Sequence, residues 1–224
     1  SWQYPIVEFF TALIFVVLAW KILNFNFLSY YLFVKPEIYF WVPLLVLLWF
    51  FFVSVLISIS VIDMRHYIIP DKITIFSSVI AFLASVGFFV LGKFPELNFP
   101  KYSLNFLGPF LDPLILSINP VLYYLIGALL LSGFLFLIFT ITKGKGIGFG
   151  DVKLAFLIGL MLGPVSGLAS VLLSFVIGSL VGIFLIISGK RKLKGAIPFG
   201  PFLALGAFIA FLFSMSGLIA QNNT

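Results

Sequence analysis

Long uncharged apolar runs constrain this chain more than any other feature of its sequence. The run 41–62 contains no charged residue, and roughly 20 apolar residues in a helix are enough to cross the ~30 Å hydrocarbon core of a bilayer. Of the 224 residues, 62% are hydrophobic and only 9% are charged, which is too little polar surface to cover a soluble globule. The sequence therefore predicts an all-α, polytopic helical membrane protein.

We expect about seven transmembrane or partly spanning helices in a single membrane-embedded domain, residues 1–224. The first and fifth segments are short. The fifth ends at Gly163-Pro164, so it is expected either to cross only part of the bilayer or to cross it with little tilt. The stretch 92–120 holds prolines 95, 100, 109, 113 and 120, each of which removes a backbone donor, and it is predicted to be an extracytoplasmic loop. The predicted segments are 6–22, 41–62, 73–91, 121–142, 152–163, 165–189 and 196–220.

Basic residues are concentrated in the loops on one side of these segments. If loop 65–72 faces the cytoplasm, alternation of the segments puts nine of the 13 basic residues on that side. Cytoplasmic loops of membrane proteins carry an excess of Lys and Arg, so we predict this orientation. The nine are Arg65, Lys72, Lys143, Lys145, Lys153, Lys190, Arg191, Lys192 and Lys194.

Composition also limits cofactors and partners. The chain has no cysteine and one histidine, His66, so a disulfide framework, a cysteine-bound metal or a histidine cluster cannot form within it. The many phenylalanines suit lipid and interhelical packing, so membrane lipids are expected partners and nucleic acid is not. Because the chain opens on Ser1 and runs at once into an apolar stretch, we expect that something upstream was cut away or left out. No cleavable signal peptide is visible, because a basic region before the first apolar run is missing.

Two aspartates stand where apolar runs meet polar loops. Asp63 closes the run 41–62, and Asp151 follows Gly146, Gly148 and Gly150. A carboxylate near a bilayer is disfavoured by several kcal/mol unless it is paired or hydrated, so both residues are functional candidates. Peptide hydrolysis by carboxylates needs two of them sharing one proton, one to activate water and one to donate to the carbonyl oxygen. The alternation places both on the same side, which favours an aspartyl hydrolase.

Other interpretations of these residues remain open at this point. The glycines would let an extended substrate backbone approach Asp151, or Asp151 is simply the N-cap of the next helix. Asp71 competes with Asp63, but its position between Pro70 and an apolar run fits an N-cap. Asp63 lies at a helix C-terminus, where the dipole disfavours an anion. Lys153 would either steady the Asp151 carboxylate or anchor its helix by snorkelling.

Several segments together resemble the type IV prepilin peptidases. Their order and membrane placement spread the resemblance over nearly the whole chain, and the opening Tyr4-Pro5-Ile6-Val7-Glu8 is also similar. The segments are Ile62-Asp63 with Ile69-Pro70-Asp71, then Gly148-Phe149-Gly150-Asp151-Val152-Lys153-Leu154, and finally Ile197-Pro198-Phe199-Gly200-Pro201-Phe202-Leu203-Ala204.

The resemblance implies a GxGD-type aspartyl protease of the bacterial inner membrane, with Asp63 and Asp151 as catalytic carboxylates. Such enzymes remove the basic leader of prepilins and pseudopilins on the cytoplasmic side, cutting after a glycine just before the hydrophobic helix, and need no cofactor for it. Glu8 matches a family glutamate that would contact the leader or the new amino terminus, or else is hydrated by headgroups. Pro198 and Pro201 are expected to break the last helix beside the site. The lesser candidates for the substrate-binding and active-site loops are Gly148, Gly150, Lys153, Glu8, Asp71, Pro198, Gly200 and Pro201.

The chain also departs from the pattern of many bacterial members. Those carry an additional N-terminal helix and a zinc-binding cytoplasmic domain, and they methylate the new N-terminus with S-adenosylmethionine. Zinc and S-adenosylmethionine are therefore expected only in a fuller-length protein, and methyltransferase activity stays open. Two other functions remain as alternatives. One is a small transporter or channel whose carboxylates bind a proton or cation. The second is an inactive scaffold subunit of a secretion or pilus machine, although the intact pair of aspartates argues against it.

Overall fold

A computed structural model describes residues 3–23, 42–90, 119–189 and 197–220 of the chain. These ranges are helical, without a strand among them, which confirms the all-α prediction. The basic run 190–194 and the predicted loop 92–120, apart from its last two residues, lie outside the described residues. The helices are α1 (Gln3–Leu23), α2 (Val42–His66), α3 (Asp71–Val90), α4 (Pro120–Ile141), α5 (Phe149–Ile187) and α6 (Gly200–Ala220).

Three of the described helices, α2, α4 and α5, are long and apolar enough to cross a membrane. The predicted number of about seven spanning helices therefore stays a prediction. Helix α5 has 39 residues, which at ~1.5 Å per residue amounts to about 58 Å of helix, nearly twice the ~30 Å of hydrocarbon. Its backbone leaves the helical conformation at Gly163, with φ 73° and ψ −176°, directly before Pro164. The break lies where the sequence predicted the fifth segment to end.

The first half of α5, residues 149–163, runs antiparallel to α4. Near the start of α5, the rings of Phe149 and Phe139 have their centroids 5.6 Å apart. Further along, a Cβ at Gly159 would lie 2.5 Å from the backbone of Ala128. Such an approach requires a small residue, as is common between membrane helices. The half ends at Gly163, which contacts the ring of Tyr123.

The second half of α5 returns along α4 in the opposite direction. A Cβ at Gly167 would lie 2.7 Å from the side chain of Leu131, and the rings of Phe175 and Phe134 have centroids 6.5 Å apart. Along α5, the residues contacted on α4 have falling residue numbers up to Gly163 and rising residue numbers after it. The chain reverses at the break, and α5 forms a helical hairpin.

Helix α6 packs against this second half and against α2. A Cβ at Gly178 would lie 3.4 Å from the side chain of Phe202, and the rings of Phe211 and Trp49 have centroids 3.9 Å apart. Fully buried aliphatic side chains fill the interfaces, where van der Waals packing supplies most of the stabilisation between membrane helices. They are Leu18, Ile59, Leu131, Leu135, Leu154, Leu157, Ile158, Val171 and Leu203.

The alternating helix directions place six helix ends on one side of the bundle, which we call the site face. They are the end of α2, the start of α3, the end of α4, both ends of α5 and the start of α6. Pro198 precedes α6 and Pro201 is its second residue, a position where a missing N–H costs no helical hydrogen bond. The expectation that these prolines break the last helix is therefore wrong: the helix begins among them.

Candidate active site

Asp63 lies in the last turn of α2, with its side chain only 5% exposed. The backbone N–H of Gly200 donates a hydrogen bond of 3.0 Å to its Oδ2 atom. Helix α2 ends shortly afterwards because Tyr67 adopts a left-handed backbone conformation, with φ 55°, and its N–H donates to the carbonyl oxygen of Asp63 at 2.9 Å. This αL ending turns the chain back toward the bundle.

Asp151 is the third residue of α5, and its side chain is 7% exposed. Its Oδ2 atom accepts a hydrogen bond of 3.0 Å from the backbone N–H of Gly148, and its own N–H donates to the carbonyl oxygen of Gly148 at 3.2 Å. Gly148 is thus the N-cap, and the alternative of Asp151 as N-cap is wrong. The carboxylate reaches back over the cap, in the way of the acidic member of a capping box.

The structure brings Asp63 and Asp151 together at the site face. They are near enough for the charge of one carboxylate to act on the other. The loop between α2 and α3 helps to fix this arrangement, because the buried side chain of Ile69 packs against Gly150. A Cβ at Gly150 would lie only 2.8 Å from the Cβ of Ile69. The segment after one aspartate is therefore in contact with the residue before the other.

This contact corrects one part of the sequence interpretation. The space left by the missing side chain of Gly150 is taken up by Ile69 and not by a substrate backbone. Gly146 and Gly148 are exposed, and a Cβ at Gly148 would lie 3.4 Å from Oδ2 of Asp151. Approach of a substrate over Gly148 stays a prediction.

Lys153 and Asp71 form an ion pair at the site face, with 2.6 Å between Nζ and Oδ1. The side chains are 28% and 59% exposed, respectively, and Nζ also lies 4.9 Å from the centroid of the Phe149 ring. This pair was not predicted from the sequence. Asp71 is the first residue of α3, where a carboxylate is favoured by the helix dipole. Its exposure sets it apart from the two buried aspartates.

The remaining candidates are less involved in the described contacts. Glu8 is exposed on α1, and His66 is exposed at the end of α2. Within the described ranges, no three His, Cys, Asp or Glu side chains gather into a possible metal site.

Gly200 contacts Asp63, and the sequence pattern did not predict this contact. It was singled out only by resemblance, yet its N–H holds Asp63 from 137 positions away. A Cβ at Gly200 would lie 2.6 Å from Oδ2 of Asp63, so a larger residue would displace the carboxylate or the start of α6. No local pattern could have revealed this contact, because it depends on the packing of α6 against α2.

Comparison with known proteins identifies a family for this chain. Residues 50–187 match the model of the type IV leader peptidase family, and both aspartates lie within the match. No solved structure matches the chain significantly.

Several curated relatives are called prepilin leader peptidase/N-methyltransferase. The protein of Bacillus subtilis (strain 168) is 32% identical over 167 residues, covering 74% of this chain and 55% of the relative. That of Aeromonas hydrophila is 28% identical over 219 residues, or 96% of this chain and 60% of the relative. That of Xanthomonas campestris pv. campestris is 26% identical over 212 residues, covering 94% of this chain and 59% of the relative. This chain thus spans somewhat more than half the length of these relatives. Because the family match covers more than half of its length, this chain belongs to the type IV leader peptidase family.

Proposed function

We propose that this chain is a membrane aspartic endopeptidase that removes the basic leader peptide from type IV prepilins and pseudopilins, with Asp63 and Asp151 as its catalytic pair. One observation carries the proposal. Two buried carboxylates from separate helices lie within electrostatic range, and each is held by one backbone N–H. Family membership and the names of the matched relatives give the substrate class. The same membership does not favour a transporter or channel.

The geometry suits activation of water by a carboxyl pair. In each aspartate Oδ2 accepts the backbone N–H, and we assign Oδ1 to the binding of the attacking water. Like charges at short range share one proton, so one group acts as base and its partner as acid. The base removes a proton from water as its oxygen attacks the scissile carbonyl carbon, and the acid protonates the carbonyl oxygen. Collapse of the tetrahedral intermediate breaks the C–N bond, and the amine leaves with a proton returned by the pair.

We place the site face toward the cytoplasm of a bacterial inner membrane. Asp63 and Asp151 lie near the ends of two apolar helices, and the basic loops beside them would be cytoplasmic by the positive-inside rule. A prepilin whose hydrophobic helix lies in the bilayer would present its leader junction at this level. The proposal covers proteolysis alone. The N-methyltransferase activity in the relatives' name is not carried over, because the chain spans only part of their length.

The proposal can be tested by reconstituting the purified protein with a full-length prepilin and following leader removal on a gel and by mass spectrometry. Asp63→Asn and Asp151→Asn should each lower the cleavage rate by roughly 10²- to 10⁴-fold, the range of a lost acid or base. Asp71→Asn is the comparison variant, because its carboxylate is exposed and paired with Lys153. It should keep most of the activity.

Three outcomes would change the assignment. Undiminished cleavage by both Asp63→Asn and Asp151→Asn would show that the pair is not catalytic. Loss of cleavage in Asp71→Asn alone would exchange the roles of Asp71 and Asp63. Ion flux that depends on the two aspartates, without any proteolysis, would replace the peptidase with a transporter.

A further inference from the structure

A groove of about 470 Å³ runs between α3 and the first half of α5. Val79 and Phe82 form part of its wall on α3, and Phe156 and Leu160 form part of its wall on α5. Leu125 of α4 also lines it. Its volume is within the range of binding pockets in proteins, about 300–1,000 Å³.

Among the described residues that line it, the groove offers no free polar group to an occupant. Its two hydroxyl side chains bond within their own helix: Ser78 Oγ donates to the carbonyl oxygen of Thr74 at 2.7 Å, and Thr74 Oγ1 donates to that of Pro70 at 3.2 Å. The charge of Lys153, which also lines the groove, is compensated by Asp71. An occupant therefore has to be apolar along the groove, since a buried polar group would lose its hydrogen bonds to water without replacement.

The groove begins near the level of the candidate catalytic pair along α5. Lys153 is two residues after Asp151 on the same helix, and Leu160 lies further from the site face by about 10 Å, at ~1.5 Å per residue. The groove thus starts near the level of the carboxylates and continues into the hydrocarbon layer. A helix that begins directly after a bond cleaved at this level would span the same depth of the membrane as the groove.

We propose that this groove binds the first turns of the hydrophobic helix of the substrate, on the mature side of the scissile bond. This inference rests on the proposed function, since it assumes a substrate that is cleaved just before a membrane helix. A third helix can lie in the groove between two packed helices, with its side chains between theirs. The large side chains Ile75, Val79 and Leu83 already line the groove while being 56%, 50% and 61% exposed.

Charge decides between a substrate helix and the other apolar occupant, the acyl chain of an anionic lipid. A lipid phosphate would need a free cation at the end of the groove. Lys153 is the cation that lines the groove, and Asp71 already holds it at 2.6 Å. Lys153 and Asp71 together carry no net charge, which suits an uncharged helix and weakens the case for a lipid headgroup.

Cysteine cross-linking tests the inference directly, because the chain has no native cysteine. Val79→Cys would be made in the Asp63→Asn background, together with a prepilin that carries one cysteine in the first two turns of its hydrophobic helix. The matched control is Phe76→Cys, on the same helix, 62% exposed and not part of the groove. We expect a disulfide with Val79→Cys and several-fold less with Phe76→Cys. Equal yields at both positions, or no cross-link at Val79→Cys, would overturn the inference.

A kinetic test uses the active enzyme. Val79→Trp fills the groove and should raise KM for prepilin about tenfold, corresponding to ~1.4 kcal/mol of lost binding, with kcat little changed. Phe76→Trp should leave both constants unchanged. If Val79→Trp instead alters only the response of the enzyme to anionic vesicles and not KM, a lipid is the occupant and the inference is wrong.

The two proposals fail in distinguishable ways. If the protein with Asp63 and Asp151 intact does not cleave prepilin, the proposed function fails, whatever the cross-links show. If it cleaves prepilin while Val79→Cys does not cross-link and Val79→Trp keeps its KM, the groove inference fails and the proposed function stands.

Discussion

The backbone N–H of Gly200 donates a hydrogen bond of 3.0 Å to Oδ2 of Asp63, across 137 positions of sequence. The start of α6 is thereby in contact with the end of α2. Gly148 makes the equivalent bond to Asp151, but from three residues away on the same turn. The two carboxylates are therefore held by the same kind of donor. One is positioned by local structure, and its partner is positioned by the packing of distant helices.

We predict that Gly200→Ala lowers kcat by roughly 100-fold, the effect of a displacement of about 1 Å in a catalytic group. The added Cβ would lie 2.6 Å from Oδ2 of Asp63, a distance that forces the carboxylate or the start of α6 to move. KM should change little, because the substrate groove is elsewhere. The measurement is steady-state cleavage of prepilin by the purified variant.

Gly133→Ala is the control for this prediction, since a Cβ there meets no atom within 4 Å. It should leave kcat unchanged. If Gly200→Ala cleaves at the wild-type rate, the hydrogen bond from Gly200 does not position Asp63 for the reaction.

The ion pair of Lys153 with Asp71 should contribute little to stability. Both side chains are partly exposed, and exposed pairs typically stabilise by about 0.2–1 kcal/mol. A double-mutant cycle with Asp71→Asn and Lys153→Met, followed by SDS-induced unfolding in mixed micelles, should give a coupling energy within that range. A coupling of several kcal/mol would mean that the pair is shielded from water and is a major constraint on α3 and α5.

The sequence was sufficient to predict features that depend on local composition. Uncharged runs predicted the helices, and the positions of Asp63 and Asp151 at the boundaries of these runs predicted that both residues lie near helix ends. Gly163-Pro164 indicated the end of the fifth segment, because a proline after a glycine cannot continue a regular helix. In each case the residue and its near neighbours determine the outcome.

Contacts between distant segments could not be predicted in this way. The packing of Ile69 against Gly150, the donation from Gly200 to Asp63 and the pairing of Lys153 with Asp71 depend on which helices are neighbours. Sequence periodicity carries little information on this, since apolar residues surround these helices on most sides. The prediction that Pro198 and Pro201 break the last helix was wrong for a related reason. A proline is tolerated in the first turn of a helix and interrupts a helix only at later positions, and the sequence pattern did not show where this helix begins.

We expect Gly163→Ala to destabilise the protein by about 1–3 kcal/mol, the typical cost of forcing a non-glycine residue into this backbone region. Gly163 has φ 73° and ψ −176°, and an added Cβ would also collide with the ring of Tyr123. The free energy of unfolding in micelles measures the effect. Gly133→Ala, within a regular helix, should instead be neutral or stabilise by about 0.5–1 kcal/mol. Equal stability of the two variants would contradict the reversal of the chain at Gly163.

The pair of carboxylates should give a bell-shaped dependence of kcat/KM on pH. At low pH both Asp63 and Asp151 are protonated, so no base is available to activate water. At high pH both are ionised, so no acid is available to protonate the carbonyl oxygen. Activity therefore requires the singly protonated pair, and the two limbs report apparent constants of the pair and not of either residue. The measurement is the initial rate of prepilin cleavage over a pH series in one detergent, with protein stability followed at each pH. A profile with an acidic limb alone, over a range in which the protein stays folded, would show that a general acid other than the partner aspartate serves the reaction.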